Sequence, residues 1–600
     1  MNKYKEYKHL ALLYRDRAAL YQSRIALQYK KANKSAWQQM SWTEMMENID
    51  TLAKAMLSEN VAPSDNVGIF SRNMPEWTLS DIALMSIRAV SVPLYATDSV
   101  SQAEYIIKET GMKLIFAGEQ EQYDKLLEVS TKTDTRLKII AYDDAVDLKG
   151  NINAMHFSDF IRQGQKESDV ELNLRLSEAD LEDVVTIIYT SGTTGVPKGV
   201  VLRQKNFLNT FKIHDMFLDI SENDVSLAFL PFSHIFERTW TLMALHNGMT
   251  NYYLLNPKEV VDVMAEVKPT IMCAVPRFFE KTYSAVVEQL EAYSPLKKRI
   301  FSWAIQIGEK IMEHKRTYEN ISFFERIQYT IANALVLKKG REALGGNIRF
   351  MPCGGAALSD DINRFFQSVG IHIKYAYGMT ETIATITVFG DAGFKFGTVG
   401  KPLHGVQLRI GENNEIQIKG DSVFSEYYKK PAETAQAFED GWFKTGDAGA
   451  IDEEGFLIMT ERIKDLIKTS SGKYVAPQVV EMKLVADPYI EQALLIGDNR
   501  KFCVALIVPA FSILGKYAKS ENIVFNEHSD LIQNKQIIQF YQKRINELLD
   551  DLAEYQKVVR FTLLPNDFSI LSGEYTPTLK TKRKFIAEKY KAVIEEMYRD

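Results

Sequence analysis

Residues 184–202 read VVTIIYTSGTTGVPKGVVL. The run Val184–Ile188 is short and apolar with branched side chains, as a buried strand requires, and Val200-Val201-Leu202 opens a second apolar run. Between them, Gly192, Gly195 and Gly199 let the backbone turn tightly and approach a ligand. Thr190, Ser191, Thr193 and Thr194 supply hydroxyls, and Lys198 supplies a positive charge. This set of groups suits phosphate oxygens. It is not the Walker A pattern, because its glycines lie closer together and Gly199 follows the lysine where Ser or Thr would meet magnesium. The plain alternative, a hydroxyl-rich hairpin turn, is disfavoured by the composition of the whole stretch Tyr189–Gly199.

Working outward, Asn66–Phe70 (NVGIF) follows the turn signal Pro63-Ser64-Asp65 and reads as a buried strand. Glu76–Ile87 repeats apolar residues at helical spacing, while Val90–Leu94, Lys113–Ala117 and Lys138–Tyr142 continue the strand series. Strands alternating with helices predict an α/β architecture with a largely parallel sheet. A second α/β pass is expected from Val184 to about Tyr377, including a helical stretch from Phe278 to about Lys339. From Gly397 onward, Gly400, Gly405, Gly411 and Gly420 punctuate short runs such as Val406–Ile410 and Glu415–Ile418, which predict a small twisted β-subdomain. After Arg462, Gln492–Ile496 and Phe502–Val508 flank the polar turn Gly497–Lys501 as a hairpin, and Asn534–Tyr555 reads as amphipathic helix. No Pro/Gly-rich linker marks a boundary.

With 600 residues the chain exceeds what one core organises, so at least two domains are expected. Apolar content of 46% and charged content of 25% are those of an ordered globular protein. The net charge of −6 argues against a nucleic-acid partner. Cys273, Cys353 and Cys503 form no CxxC pair, so neither a disulfide framework nor a cysteine zinc site follows, and a reducing, cytoplasmic compartment is expected. The start of the chain is polar, and no apolar run approaches the roughly 20 residues of a spanning helix. A peripheral pose at a membrane surface stays open, and the sequence sets no oligomeric state.

Further segments carry chemistry. In Phe229–Thr239 (FLPFSHIFERT), His234 taken alone reads as a packed core histidine. In Met351–Ser359 (MPCGGAALS), Gly354, Gly355 and Ala356 are small enough for a flat base to lie against the backbone, and Ser359 is placed to cap a helix over Asp360–Ser368. Tyr377–Thr382 (YGMTET) offers a flat ring at Tyr377, a hydroxyl at Thr380 and a hard anionic oxygen at Glu381. In Phe443–Asp447 (FKTGD), Asp447 can accept from both hydroxyls of a vicinal diol. Arg462 stands in Thr460–Asp465 (TERIKD), and Tyr575–Arg583 (YTPTLKTKR) is a basic run.

With these segments in this order, the chain resembles the adenylate-forming superfamily of acyl-CoA synthetases, adenylation domains and luciferases. In its histidine and C-terminal lysine segments it resembles the long-chain fatty acyl-CoA synthetases. The likeness runs from about residue 10 to 590. It implies a large N-terminal domain (1–463) of two α/β subdomains plus a small β-subdomain. A small mobile α+β C-terminal domain (464–600) would follow, hinged at Lys464. It implies ATP, Mg2+ and coenzyme A, with a long-chain fatty acid as substrate. By the same likeness, the loop Thr190–Lys198 holds phosphates and His234 orients the acyl carboxylate. Gly354, Gly355 and Ala356 line the adenine, on which Tyr377, followed by Gly378, stacks. Thr380 meets the α-phosphate, Glu381 holds magnesium, Asp447 takes the ribose, and Arg462 adds a nucleotide contact. Lys580 matches the catalytic lysine, although Leu579 stands where most members have glycine. The segment Leu466–Val475 resembles the loop that enters the site for thioester formation. Two other readings stand beside this one: a ligase that loads a carrier-protein phosphopantetheine, and a non-catalytic acyl or adenylate binding module. Glu381 and Lys580 both argue against the second.

Overall fold

The computed structural model describes residues 5–31, 36–133, 136–190, 197–463, 465–470, 472–569, 572–576 and 581–599. Ser191, Gly192, Thr193, Thr194, Gly195, Lys464 and Lys580 lie outside the described residues.

An eight-stranded sheet organises the first layer. Its order is Glu426–Tyr427, Lys198–Arg203, Val184–Thr190, Val90–Leu94, Asn66–Phe70, Leu114–Ala117, Lys138–Ala141 and Ala154–His156. From Val184–Thr190 to Ala154–His156 every neighbour is parallel. The helices Pro75–Ser86, Val100–Thr110 and Gln120–Thr133 connect them. Both faces are covered: Ile69 and Phe116 point into one core, Phe70 and Ile115 into another. That double burial is why the strands read as nearly unbroken apolar runs.

A second layer contains Val225–Ala228, Thr250–Tyr253, Ile25–Tyr29 and Gln38–Ser41 in one sheet. Phe350–Cys353, His372–Tyr377, Thr387–Val388 and Lys401–Pro402 make another. Ile271 links the two, donating its N–H to the Val225 carbonyl and bridging to Phe350. Here the structure corrects the expected division. Val184–Thr190 and Lys198–Arg203 belong to the first sheet, and Ile25–Tyr29 pairs in parallel with Thr250–Tyr253 of the second. Parallel pairing joins strands far apart in sequence, so an apolar run does not announce its neighbour.

The predicted helical stretch consists of Pro276–Glu291, Pro295–Arg316 and Phe323–Ala332, the last continuing through the wide turn Asn333–Leu337 into Lys338–Glu342. The β-subdomain is an antiparallel sheet of Gln407–Ile410, Glu415–Lys419, Trp442–Ile451, Phe438–Glu439 and Leu457–Arg462. In the C-terminal unit, Ile490–Ile496 pairs antiparallel with Cys503–Pro509, as the hairpin reading required, and Val558–Leu563 adds in parallel. Helices Pro477–Val485 and Lys535–Leu548 cover one face of that sheet, and Arg583–Lys589 with Lys591–Met597 the other. A core of its own is what makes this unit a separate domain. Among the described residues no helix is long and apolar enough to cross a membrane.

Candidate active site

Tyr377 ends the strand His372–Tyr377, and Asp447 lies in Trp442–Ile451 directly opposite Arg462. The Tyr377 hydroxyl donates to Asp447 Oδ2 at 2.6 Å, and Arg462 Nε stands 3.4 Å from Oδ1. Asp447 also has its own N–H bonded to Thr445 Oγ1 at 3.1 Å, which fixes the turn that presents it. Both Tyr377 and Asp447 are buried. Burial, reinforced by the Asp447 carboxylate, holds the Tyr377 phenol well above its ordinary pKa, so it remains a donor. The carboxylate is therefore immobilised from both sides while its remaining lone pairs stay available for a diol.

One residue on, the chain doubles back. A Cβ built on Gly378 would stand 1.8 Å from the Ala384 carbonyl oxygen, so only glycine allows the turn Thr380–Thr382 to close. Ile383 and Ala384 take left-handed φ values of 48° and 71° to complete it. Thr380 and Glu381 end up buried. Glu381 Oε1 accepts from the Tyr427 hydroxyl at 3.0 Å, and the Glu381 carbonyl accepts from the Phe424 N–H at 2.8 Å.

Tyr427 connects this turn to the Gly-rich loop. It pairs with Val200 at the edge of the first sheet, and Lys198 Nζ lies 5.1 Å from the centre of its ring. Thr190 and Lys198 face each other in register, so the strands on either side of the loop pair antiparallel, and a strand rather than a helix follows it. That separates it structurally from Walker A, as its sequence already did. Tyr427 was not among the residues expected from sequence. In Ser425-Glu426-Tyr427-Tyr428 it looks like any aromatic on an edge strand.

His234 caps the helix Ile235–His246, its Nδ1 accepting from the Phe236 N–H at 3.2 Å. A ring nitrogen that accepts carries no proton, so in this arrangement the neutral ring has its hydrogen on Nε2. The turn before it is pinned by Asn73, which donates to the Leu230 carbonyl at 2.7 Å and accepts from the Phe232 N–H at 3.1 Å. Glu237 Oε2 accepts from the Leu230 N–H at 3.0 Å, and burial pushes the Glu237 carboxyl up to about 8. Arg238 is buried against Asp81, with Nη1 donating to Thr186 Oγ1 at 2.6 Å. The motif's arginine thus ties the strand that feeds the Gly-rich loop to two helices.

Gly354 is buried, with Gly355 and Ala356 exposed beyond it, and Gly355 has a φ of +88° with open space on its Cβ side. Ser359 sits at the N-cap of Asp360–Val369, but its side chain makes no capping bond, a correction to the expected cap. Asp360 and Asp361 in the first turn supply the negative charge that a helix start favours. Behind the histidine turn an apolar cleft runs between Gln204–Phe217 and Ile235–His246, lined by Phe211, Phe236, Trp240, Met243 and Ile383. Sequence could not single these out, since any apolar helix face looks like core. Among the described residues no three His, Cys, Asp or Glu side chains gather as a metal cage. Glu381 is a single hard ligand, which fits a magnesium ion that shares its coordination with substrate phosphates.

Residues 14–428 match the family model described as AMP-binding enzyme, and residues 464–600 match that of the AMP-binding enzyme C-terminal domain. The chain belongs to the AMP-binding enzyme family. Among its relatives is the long-chain-fatty-acid–CoA ligase FadD15 of Mycobacterium bovis, 33% identical over 95% of this chain and 94% of that protein. Long chain acyl-CoA synthetase 3 of Arabidopsis thaliana is 29% identical over 95% of this chain and 88% of its own length. The fold is that of the adenylation domain of a carboxylate reductase from Mycobacterium chelonae, with a TM-score of 0.80, 21% identity, and coverage of 100% of this chain and 92% of that one.

Proposed function

We propose that this AMP-binding enzyme is a long-chain fatty acid–CoA ligase. A carboxylate oxygen of the acid attacks the α-phosphorus of ATP, the bond to pyrophosphate breaks, and acyl-AMP forms. The sulfur of coenzyme A then attacks the acyl carbon, and AMP leaves. The observation that carries this reading is that Tyr377 and Glu381, close together in the chain, each anchor a group of residues suited to one part of a nucleotide. Asp447, held between Tyr377 and Arg462, suits the ribose. The line Lys198–Tyr427–Glu381 suits the phosphates.

Each residue has a positioning or charge-neutralising part, which is what phosphate displacement asks of a protein. Lys198 and the hydroxyls of the Gly-rich loop face the triphosphate, and Thr380 donates to the α-phosphate. His234, with hydrogen on Nε2, offers that hydrogen to the acyl carboxylate. Glu381 would hold Mg2+, which when bound neutralises charge on the phosphate oxygens. Gly354, Gly355 and Ala356 leave room for the adenine beside Tyr377. The apolar cleft behind the histidine turn suits the acyl tail. Lys580 closes over the phosphate during adenylation, and rotation of the C-terminal domain about Lys464 then withdraws it. Cytoplasmic residence fits the three free, buried cysteines. A peripheral pose on a membrane suits an enzyme whose acid partitions into bilayers.

The test is AMP formation from ATP and Mg2+ across fatty acids of increasing length, with and without coenzyme A. Turnover with long acids that requires coenzyme A supports the ligase. Turnover indifferent to coenzyme A favours a carrier-protein acceptor, and none with any acid overturns the reading.

A further inference from the structure

The helices Pro295–Arg316 and Phe323–Ala332 form an antiparallel hairpin on the outside of the large domain. Lys310 and His314 reach Glu325 at one end, at 2.8 and 3.2 Å. Ala304, Ala332 and Leu337 pack together in the middle. The inner side is fixed: a Cβ on Gly308 would stand 2.2 Å from the Ser368 carbonyl oxygen, so the hairpin lies hard against Asp360–Val369. The outer side has no cover among the described residues.

That outer side is apolar. Phe324, Ile327, Ile331 and Leu335 follow one another at three- and four-residue spacing, with exposures of 77%, 43%, 48% and 50%. Such spacing places them in one stripe along the helix. Leu296 and Ile300 extend the exposed apolar surface on the other helix. Isolated exposed apolar side chains are ordinary, but a continuous stripe of large ones marks a contact surface.

The charge around the stripe identifies the contact. Lys297, Lys298 and Arg299 at the start of Pro295–Arg316, and Lys338 and Lys339 where the second helix continues into Lys338–Glu342, are all exposed. Residues 292–346 hold ten basic side chains against five acidic ones, in a chain whose net charge is −6. A positive, apolar patch on an acidic protein has little to gain from a second copy of itself, where like charges would meet. Anionic lipid headgroups above acyl chains complement both features.

We propose that this hairpin seats the protein on an anionic lipid bilayer, with Phe324, Ile327, Ile331 and Leu335 entering the headgroup layer and the five basic residues meeting lipid phosphates. The inference makes specific the peripheral pose included in the ligase reading, yet it stands on surface features alone and is read without any turnover assay. The test is co-sedimentation of the full chain with vesicles of phosphatidylcholine, alone or mixed with phosphatidylglycerol, at low and high salt. The expected result is binding to the mixed vesicles that weakens with salt. Two variants are compared: Phe324→Ser with Ile327→Ser and Ile331→Ser, and Lys297→Glu with Lys298→Glu and Lys338→Glu. Each should lower partitioning at least about tenfold with unchanged circular dichroism and melting temperature. A wild-type chain left in the supernatant, or variants that bind as well as wild type, would overturn the proposal. So would light scattering that shows a dimer which the serine variant alone dissolves, since the stripe would then belong to a second copy.

Discussion

The Tyr377 hydroxyl and Asp447 Oδ2 are 2.6 Å apart, a bond between the end of a strand in the second layer and the central strand of the β-subdomain. It fixes the carboxylate before any nucleotide arrives, which is the preorganisation that polar recognition requires.

If Asp447 receives the ribose, Asp447→Ala should lower kcat/KM for ATP by about a hundredfold, and Tyr377→Phe by about tenfold, since a hydrogen bond to a charged group contributes about 1.5–3 kcal/mol. Comparison with 2′-deoxy-ATP separates binding from folding. Wild type should discriminate against it, and Asp447→Ala should not. Equal discrimination by both would place the ribose elsewhere.

Glu381→Gln should raise the Mg2+ concentration needed for half-maximal AMP formation, whereas Tyr427→Phe, which frees Glu381 Oε1 of one donor, should shift it far less. Chelation of the metal should abolish turnover in all three proteins. An unchanged Mg2+ requirement in Glu381→Gln rejects it as the ligand.

Lys580→Ala should lose acid-dependent pyrophosphate release yet convert supplied acyl-AMP to acyl-CoA. Equal loss in both half-reactions would show that the lysine is not confined to adenylation. Lys198→Ala should raise KM for ATP, and undiminished turnover at limiting ATP counts against its phosphate role.

The Arg238–Asp81 pair is a matter of stability. Both side chains are buried, and Arg238→Leu leaves Asp81 uncompensated. The expected loss is about 3–5 kcal/mol, read in denaturant unfolding. Adding Asp81→Leu should recover much of it. A single variant as stable as wild type would mean that water reaches Asp81.

Glu461 gives a pH dependence. It is buried, its Oε1 accepting from the Arg462 N–H at 3.0 Å and its Oε2 from the Gln478 N–H at 2.9 Å, the latter at the start of the C-terminal helix Pro477–Val485. Burial pushes the carboxyl from 4.5 up to about 7. An acid whose pKa is raised by folding carries no penalty below its unfolded value; the penalty grows as pH rises and is complete above the folded value. Glu461→Gln should therefore match wild type in melting temperature near pH 4.5 and exceed it above pH 7, by the equivalent of about 3 kcal/mol. A gap that does not change with pH removes Glu461 as its source.

The candidate site residues stand out in the sequence because their groups are chemically conspicuous. The glycines and hydroxyls of Tyr189–Gly199, the small residues at Gly354–Ala356 and the Asp447 carboxylate each point to a ligand by type and spacing. Tyr427 was not readable, because its part comes from lying between Lys198 and Glu381, which three separate chain segments bring together. Arg238 drew no reading of its own from the sequence and is a buried tie. The sheet assignment of Val184–Arg203 failed for the same reason as Tyr427: local pattern reports that a strand exists, while its partner is chosen by packing across the domain.

The strand Ile25–Tyr29 finds its parallel neighbour only at Thr250–Tyr253. A ribosome adding about 5–20 residues per second takes roughly ten to forty-five seconds to make that stretch. For most of that interval the early strand is out of the tunnel with one edge unsatisfied. Its hairpin partner Gln38–Ser41 occupies the other edge. The large domain is therefore committed to finishing late in synthesis, and a break in translation before residue 250 strands an aggregation-prone edge. The C-terminal unit, whose strands lie within Ile490–Leu563, carries no such debt and can close as soon as it emerges.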